Sequence, residues 1–255
     1  ATDPTVSAMA SKCRGSVTFF AVDKFHPVMA THRAQGQAVV YVENGQLVAS
    51  KGDFQQTIAL ASIPITMGGM SPFQVENVMA SVAAAWALGL DWDTIRGGLS
   101  SFSNDTHNAQ GRFNFFKFRG ATVIADYGHN PDAMIALVQA VQAMPATRRA
   151  VVISGAGDRR DQDIRQQTEI LGDAFDEVIL YEDQCQRGRR DGEVIALLRQ
   201  GLAHARRTTQ TSEIKGEFLA IDTAMDKLAP GELCLILVDQ VEEALAHIAA
   251  RVQKG

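Results

Sequence analysis

From Gly111 onward the chain alternates short apolar runs with amphipathic helical segments, and this rhythm restricts the architecture it can adopt. Strands are expected at 121–127, 150–154, 177–182 and 233–239, and helices at 131–144, 161–175, 191–204, 217–228 and 240–252. Runs that are apolar throughout suit strands buried on both faces. The segment therefore reads as α/β, a Rossmann-like, mostly parallel sheet covered by helices. In such a sheet ligands collect in the crevice at the carboxyl ends of the strands. One strand candidate ends there in Asp126-Tyr127-Gly128-His129, after which Asn130 can cap a helix whose first position is Pro131. A helix N-terminus beside that edge favours an anion, although an ordinary well-capped loop has the same spacing.

Residues 1–109 read differently. Strand-like runs at Val17-Thr18-Phe19-Phe20 and Ala38-Val39-Val40-Tyr41-Val42 accompany a hairpin turn at Glu43-Asn44-Gly45-Gln46, which leads into Leu47-Val48-Ala49. A helix is expected from Ser71-Pro72-Phe73-Gln74, with Ser71 and Gln74 forming a capping box. Val75, Val78, Met79, Val82 and Trp86 share its core face, Gln74, Asn77 and Ser81 form a polar stripe, and Gly89 ends it. The polar stretch 101–111 separates two domains, 1–109 and 110–255.

Composition narrows the function. A net charge of −5 and a pI near 5.7 leave no basic excess for holding nucleic acid, so no nucleic-acid partner is expected. The most apolar helix candidate, Val78 to Leu90, falls short of the ~20 residues that cross a bilayer, so no membrane span is expected. Cys13, Cys185 and Cys234 are odd in number and widely spaced, which suggests neither disulfides nor a zinc site. A reducing cytoplasm fits this usage.

Asp126-Tyr127-Gly128-His129-Asn130-Pro131-Asp132 resembles the signature that opens the C-terminal domain of the Mur ligases, which are ATP-dependent amide ligases. Gly111-Arg112-Phe113-Asn114-Phe115-Phe116, Arg187-Gly188-Arg189-Arg190-Asp191-Gly192-Glu193 and Val238-Asp239-Gln240-Val241-Glu242-Glu243-Ala244-Leu245 resemble one branch of that superfamily over nearly the whole chain. The branch adds arginine to the side-chain carboxylates of a poly-aspartate chain through an acyl phosphate. The resemblance implies that Arg112 contacts ATP phosphates, that Asp126 hydrogen-bonds the ribose, and that His129 and Asn130 lie near the nucleotide. Asn77 matches an asparagine near the adenine, although Phe73-Gln74 departs from the histidine-asparagine pair expected there. Asp3-Pro4 resembles the end of an element of the Mur central domain, so the sequence is expected to start within that domain. The phosphate cradle G-x-x-x-x-G-K-[ST] is missing, since the chain contains no Gly-Lys dipeptide. The fragment is accordingly expected to be inactive alone, with the Mg²⁺ ligands outside it.

Gly155-Ala156-Gly157-Asp158-Arg159-Arg160 follows a strand and invites a dinucleotide reading, but Arg160 stands where the third glycine of G-x-G-x-x-G belongs. In the Mur family a similar turn lines the pocket of the incoming amino acid, which makes Gly157, Asp158 and Arg159 substrate-site candidates. Glu182 or Asp183 is the candidate partner for a substrate guanidinium, and Arg159, Arg189 or Arg190 for its carboxylate or those of the polymer. The expected partners are L-arginine, the poly-aspartate polymer, upstream domains of the same polypeptide and further copies in a homo-oligomer. Two other readings stay open: a non-catalytic, degenerate ligase module, and a nicotinamide-dependent oxidoreductase resting on the glycine turn.

Overall fold

The computed structural model describes residues 1–182 and 186–254, and the chain forms two compact units, Ala1–Ser103 and Asn104–Gly255. In the first, α1 (Pro4–Ala8) precedes β1 (Phe19–Phe20), and α2 (Pro27–Ala34) follows it. β1 pairs parallel with β2 (Val39–Glu43), and β3 (Gln46–Lys51) and β4 (Phe54–Ala59) continue the sheet antiparallel. Asn44 and Gly45 turn the β2–β3 hairpin with φ of 50° and 72°, the paired left-handed conformations of a type I′ turn.

α3 (Pro72–Ala87) lays Val75, Val78, Met79 and Val82 on Val40, Leu47, Ala49 and Ile58 of this sheet, and Ile95 of α4 (Trp92–Ser101) joins them. The expected capping box does not form. The Gln74 N–H that Ser71 Oγ would accept donates instead to the Ser71 carbonyl, at 3.1 Å. Ser71 Oγ is left buried and without a partner among the described residues, and Gln74 Oε1 accepts from Asn77 Nδ2 at 3.2 Å. Gln74 is also buried rather than part of a solvated stripe.

The second unit carries β5 (Asn114–Phe118), β6 (Ala121–Asp126), α5 (Pro131–Gln142), β7 (Arg149–Ile153), α6 (Asp161–Gly172) and β8 (Glu177–Glu182). It continues with α7 (Glu193–Gly201), β9 (Gln210–Lys215), α8 (Glu217–Lys227), β10 (Leu233–Leu237) and α9 (Val241–Lys254). The strand order is β5-β6-β10-β7-β8-β9, parallel except for β5. β8 and β10 are buried at every position, as strands covered on both faces must be. One face packs Val123, Val152, Ile179 and Ile236 on Ala220 and Ile221 of α8 and Leu245 and Ile248 of α9. β10 enters the sheet between β6 and β7 although it comes last, and because these strands run parallel the turns after β6, β7, β8 and β10 all open on one edge.

The strands at 121–126, 149–153, 177–182 and 233–237 lie where the apolar runs place them. β5 and β9 carry no such run because each is an edge strand, and β9 alternates exposed and half-buried positions from Thr211 to Lys215. The loop from Asn104 belongs to the second unit. Asn114 Nδ2 donates to the carbonyls of Asn104, Asp105 and Ala109, at 3.1, 3.2 and 2.8 Å, and ties the loop down.

Candidate active site

Asp126 closes β6 with its carboxylate turned inward, only 7% exposed. Its Oδ2 accepts from the Phe113 N–H at 2.8 Å. Burial pushes the Asp126 pKa up to about 6, against the pull of the Phe113 and Gly128 amides, Arg112 and His129. The pairing of Asp126 with Phe113 fastens the entry segment of the unit. Gly111, at φ 66°, donates to Asn114 Oδ1 at 2.7 Å and accepts from the Tyr127 N–H at 2.8 Å. A Cβ on Gly111 would stand 2.8 Å from Val241 Cγ1, so the Gly-Arg pair requires its glycine for both conformation and space. Arg112 is thereby presented exposed, its guanidinium carbon 5.9 Å from the Tyr127 ring centre.

The Tyr127 ring stacks on His129, with centroids 4.6 Å apart. His129 is buried, its Nδ1 3.1 Å from the Tyr127 carbonyl and its Nε2 3.6 Å from Asp239 Oδ1. A carbonyl only accepts, so Nδ1 carries a proton. Asn130 caps α5 by accepting from the Ala133 N–H at 2.9 Å, as its position implies. Asp239, just beyond β10, is held below the usual carboxylate range by His129 and then by Arg187, against its burial. Glu217, 1% exposed, accepts from the Asp239 and Gln240 N–H groups at 2.8 and 3.1 Å and so fixes the turn that carries Asp239. Sequence reasoning did not single out Asp239 or Glu217 for the site. Asp239 carries the same signal as Asp126, an acid ending an apolar strand. Glu217 lies 22 residues from its partner and carries no local signal.

The glycine turn after β7 is built for close packing rather than for a dinucleotide. A Cβ on Gly155 would stand 2.7 Å from Val194 of α7, and one on Gly157 only 2.0 Å from the Gln186 carbonyl oxygen. Gly157→Ala is therefore expected to push the segment after Gln186 off this turn and cost about 1–3 kcal/mol. A melting temperature and proteolytic resistance equal to wild type would contradict it. Arg189 is a strut: its guanidinium donates to the Gly157 and Arg159 carbonyls, each at 2.7 Å, and pairs with Asp161 and Glu193. Its donors are thus engaged within the protein. Glu182 is buried and accepts from the Gly192 N–H at 2.7 Å at the start of α7, where the helix dipole favours an anion. Asp158, Arg159 and Arg190 are exposed at the rim, while Asp183 lies outside the described residues.

Asn77 belongs to the first unit, exposed on α3 and bonded to Gln74. Among the described residues no three His, Cys, Asp or Glu side chains are grouped to hold a metal, and no helix is long and apolar enough to cross a membrane. Cys13 is exposed, and burial pushes the Cys234 thiol up to about 12.

A Rossmann-like unit whose carboxyl edge gathers Arg112, Asp126, His129 and Asp239 defines the class. Residues 111–252 match the family model described as the Mur ligase, glutamate ligase domain, and the chain belongs to the Mur ligase family. It is similar to the cyanophycin synthetase of Geminocystis herdmanii, 35% identical over 97% of this chain and 28% of that protein. It is likewise similar to the cyanophycin synthetase of Synechocystis sp., 34% identical over 100% of this chain and 29% of that protein. The chain thus spans under a third of each of these two curated relatives. In fold it resembles E. coli FolC in complex with DHPP and ADP, with a TM-score of 0.63 at 19% identity over 100% of this chain and 60% of that one. It also resembles a murein peptide ligase from Psychrobacter arcticus, with a TM-score of 0.61 at 16% identity over 100% of this chain and 49% of that one.

Proposed function

We propose that the chain is part of a cytoplasmic, ATP-dependent amide ligase that adds L-arginine to the aspartate side chains of a cyanophycin-type polymer. The observation that carries this reading is similarity to cyanophycin synthetases over at least 97% of the chain, together with polar groups gathered at the carboxyl edge of one sheet. The side-chain carboxylate is activated as an acyl phosphate, and the amine of arginine then displaces phosphate.

In this reading Arg112 neutralises charge on the transferring phosphoryl group, a task suited to a permanently charged guanidinium that binds oxygen pairs. Its exposure beside the buried Asp126 fits a nucleotide at this edge. Asp126 serves the ribose, with His129 and Asn130 shaping its turn. The glycine turn with Gly157, Asp158 and Arg159 lines the amine pocket. Glu182 and Arg189 serve that pocket by holding its loops. The phosphate loop and the Mg²⁺ ligands belong to other parts of the protein, the ion supplying further charge neutralisation when bound.

The isolated 255-residue chain is expected to release no phosphate above background with ATP, arginine and polymer, because its sequence holds no G-x-x-x-x-G-K-[ST] loop to position the γ-phosphate. Joined to a segment bearing G-x-x-x-x-G-K-[ST], it is expected to release phosphate in an arginine-dependent way. Turnover by the isolated chain, or an assembled enzyme indifferent to arginine, would sink the proposal.

A further inference from the structure

Arg187 has no task in the ligase reading, and it occupies an unusual position. It reaches across the carboxyl edge from the loop after β8, with a φ of 47° that side chains other than glycine rarely adopt. Its guanidinium donates to Asp239 Oδ1 and lies 3.8 Å from Asp158 Oδ1. The Tyr127 phenol, followed by Asp239 and Asp158, raises its pKa against burial. Four turns thus meet on a single planar cation: Tyr127 after β6, Asp158 after β7, Arg187 after β8 and Asp239 after β10.

We propose that the recess between Asp158, Asp239 and Tyr127 is a receptor for a guanidinium group, and that Arg187 fills it until an incoming guanidinium takes its place. That the incoming group is the side chain of the amine substrate rests on the ligase reading above. A partly buried carboxylate such as Asp239 is costly to leave unpaired, so the chain supplies a surrogate partner. Exchange of one guanidinium for another then conserves the ion pairs on both sides. The backbone on either side stays in place, the Gln186 carbonyl oxygen packed against Gly157 and the Arg189 guanidinium donating to the Gly157 carbonyl, so only the Arg187 side chain, 30% exposed, has to swing out. The recess also selects by shape, because a planar fork reaches both carboxylates while an ammonium presents a single point of charge.

A placeholder weakens apparent affinity by the fraction of time it holds the recess, so its removal raises affinity. In calorimetric titrations of the 255-residue protein, Arg187→Ala is expected to bind methylguanidinium about tenfold more tightly than wild type, with no such gain for methylammonium. Arg187→Gln, which keeps the side-chain length, is expected to show the same gain. Adding Asp158→Asn and Asp239→Asn to either variant is expected to abolish it. Wild-type affinity in both Arg187 variants, an equal gain for methylammonium, or a gain that survives loss of the two carboxylates would overturn the proposal. The two readings fail separately. An assembled ligase that used another amine would leave methylguanidinium binding untouched, while wild-type binding by the Arg187 variants would leave arginine-dependent turnover intact.

Discussion

Replacing Arg112 by alanine in the complete ligase is expected to lower kcat by a factor on the order of 10²–10³ and to leave the KM for ATP nearly unchanged. On the proposed reading the guanidinium faces phosphates whose charge is redistributed during transfer, so its contribution is largest in the transition state. The entry segment holds it there rather than leaving it to a flexible linker. Gly111 and Phe113 on either side both have positive φ, at 66° and 54°, and the Arg112 N–H is bound to the Ala109 carbonyl at 3.2 Å. Arg112→Lys is expected to recover only part of the loss, since an ammonium keeps the charge but not the bidentate fork. Initial rates of phosphate release against ATP concentration separate the two parameters. A wild-type kcat for Arg112→Ala would remove this residue from the phosphates.

Asp126 is expected to act on both stability and nucleotide binding. Its pKa is about 6 in the folded protein against a reference of 3.8, so the folded form holds the proton more tightly than the unfolded chain. Its contribution is therefore favourable at low pH and is lost as the pH rises from the unfolded value through the folded one. At neutral pH the buried charge costs about 2–3 kcal/mol. Asp126→Asn can still accept from the Phe113 amide but leaves the Gly128 amide less well paired. The net gain at neutral pH is thus expected to be smaller, about 1–2 kcal/mol, and to vanish at acid pH. Urea unfolding at pH 4 and pH 8 reads this directly, and a stability difference independent of pH would refute it. A carboxylate retained at such cost points to use, and Asp126→Ala is expected mainly to raise the KM for ATP because the ribose does not change in the reaction. Wild-type KM in that variant would move the ribose elsewhere.

What could be read from the sequence had short-range causes. Continuous apolar runs located β6, β7, β8 and β10, because a strand covered on both faces tolerates little else. Asn44-Gly45 located a hairpin, and Asn130-Pro131 located the start of α5, each through the conformation of one or two residues. Motifs of a few residues brought Arg112, Asp126 and His129 forward as a site. The capping box at Ser71 was misread because the Ser71 carbonyl had already taken the amide in question.

Tertiary structure decided which charges are free to act. In a loop rich in arginine and acid every side chain looks alike in sequence. Only the fold turns Arg189 onto the Gly157 and Arg159 carbonyls, Glu182 onto the Gly192 amide and Glu217 onto the turn of Asp239. These partners lie 32, 30, 10 and 22 residues away, beyond the reach of any local pattern. The same is true of Arg187, whose three neighbours come from three different turns brought to one edge by the parallel pairing of β6, β10, β7 and β8. Periodicity and capping are properties of a few consecutive residues, and the sequence alone determined them. The pairing of charges depends on strand order, which is set when non-neighbouring strands bury their faces together, and that was decided by the tertiary structure alone.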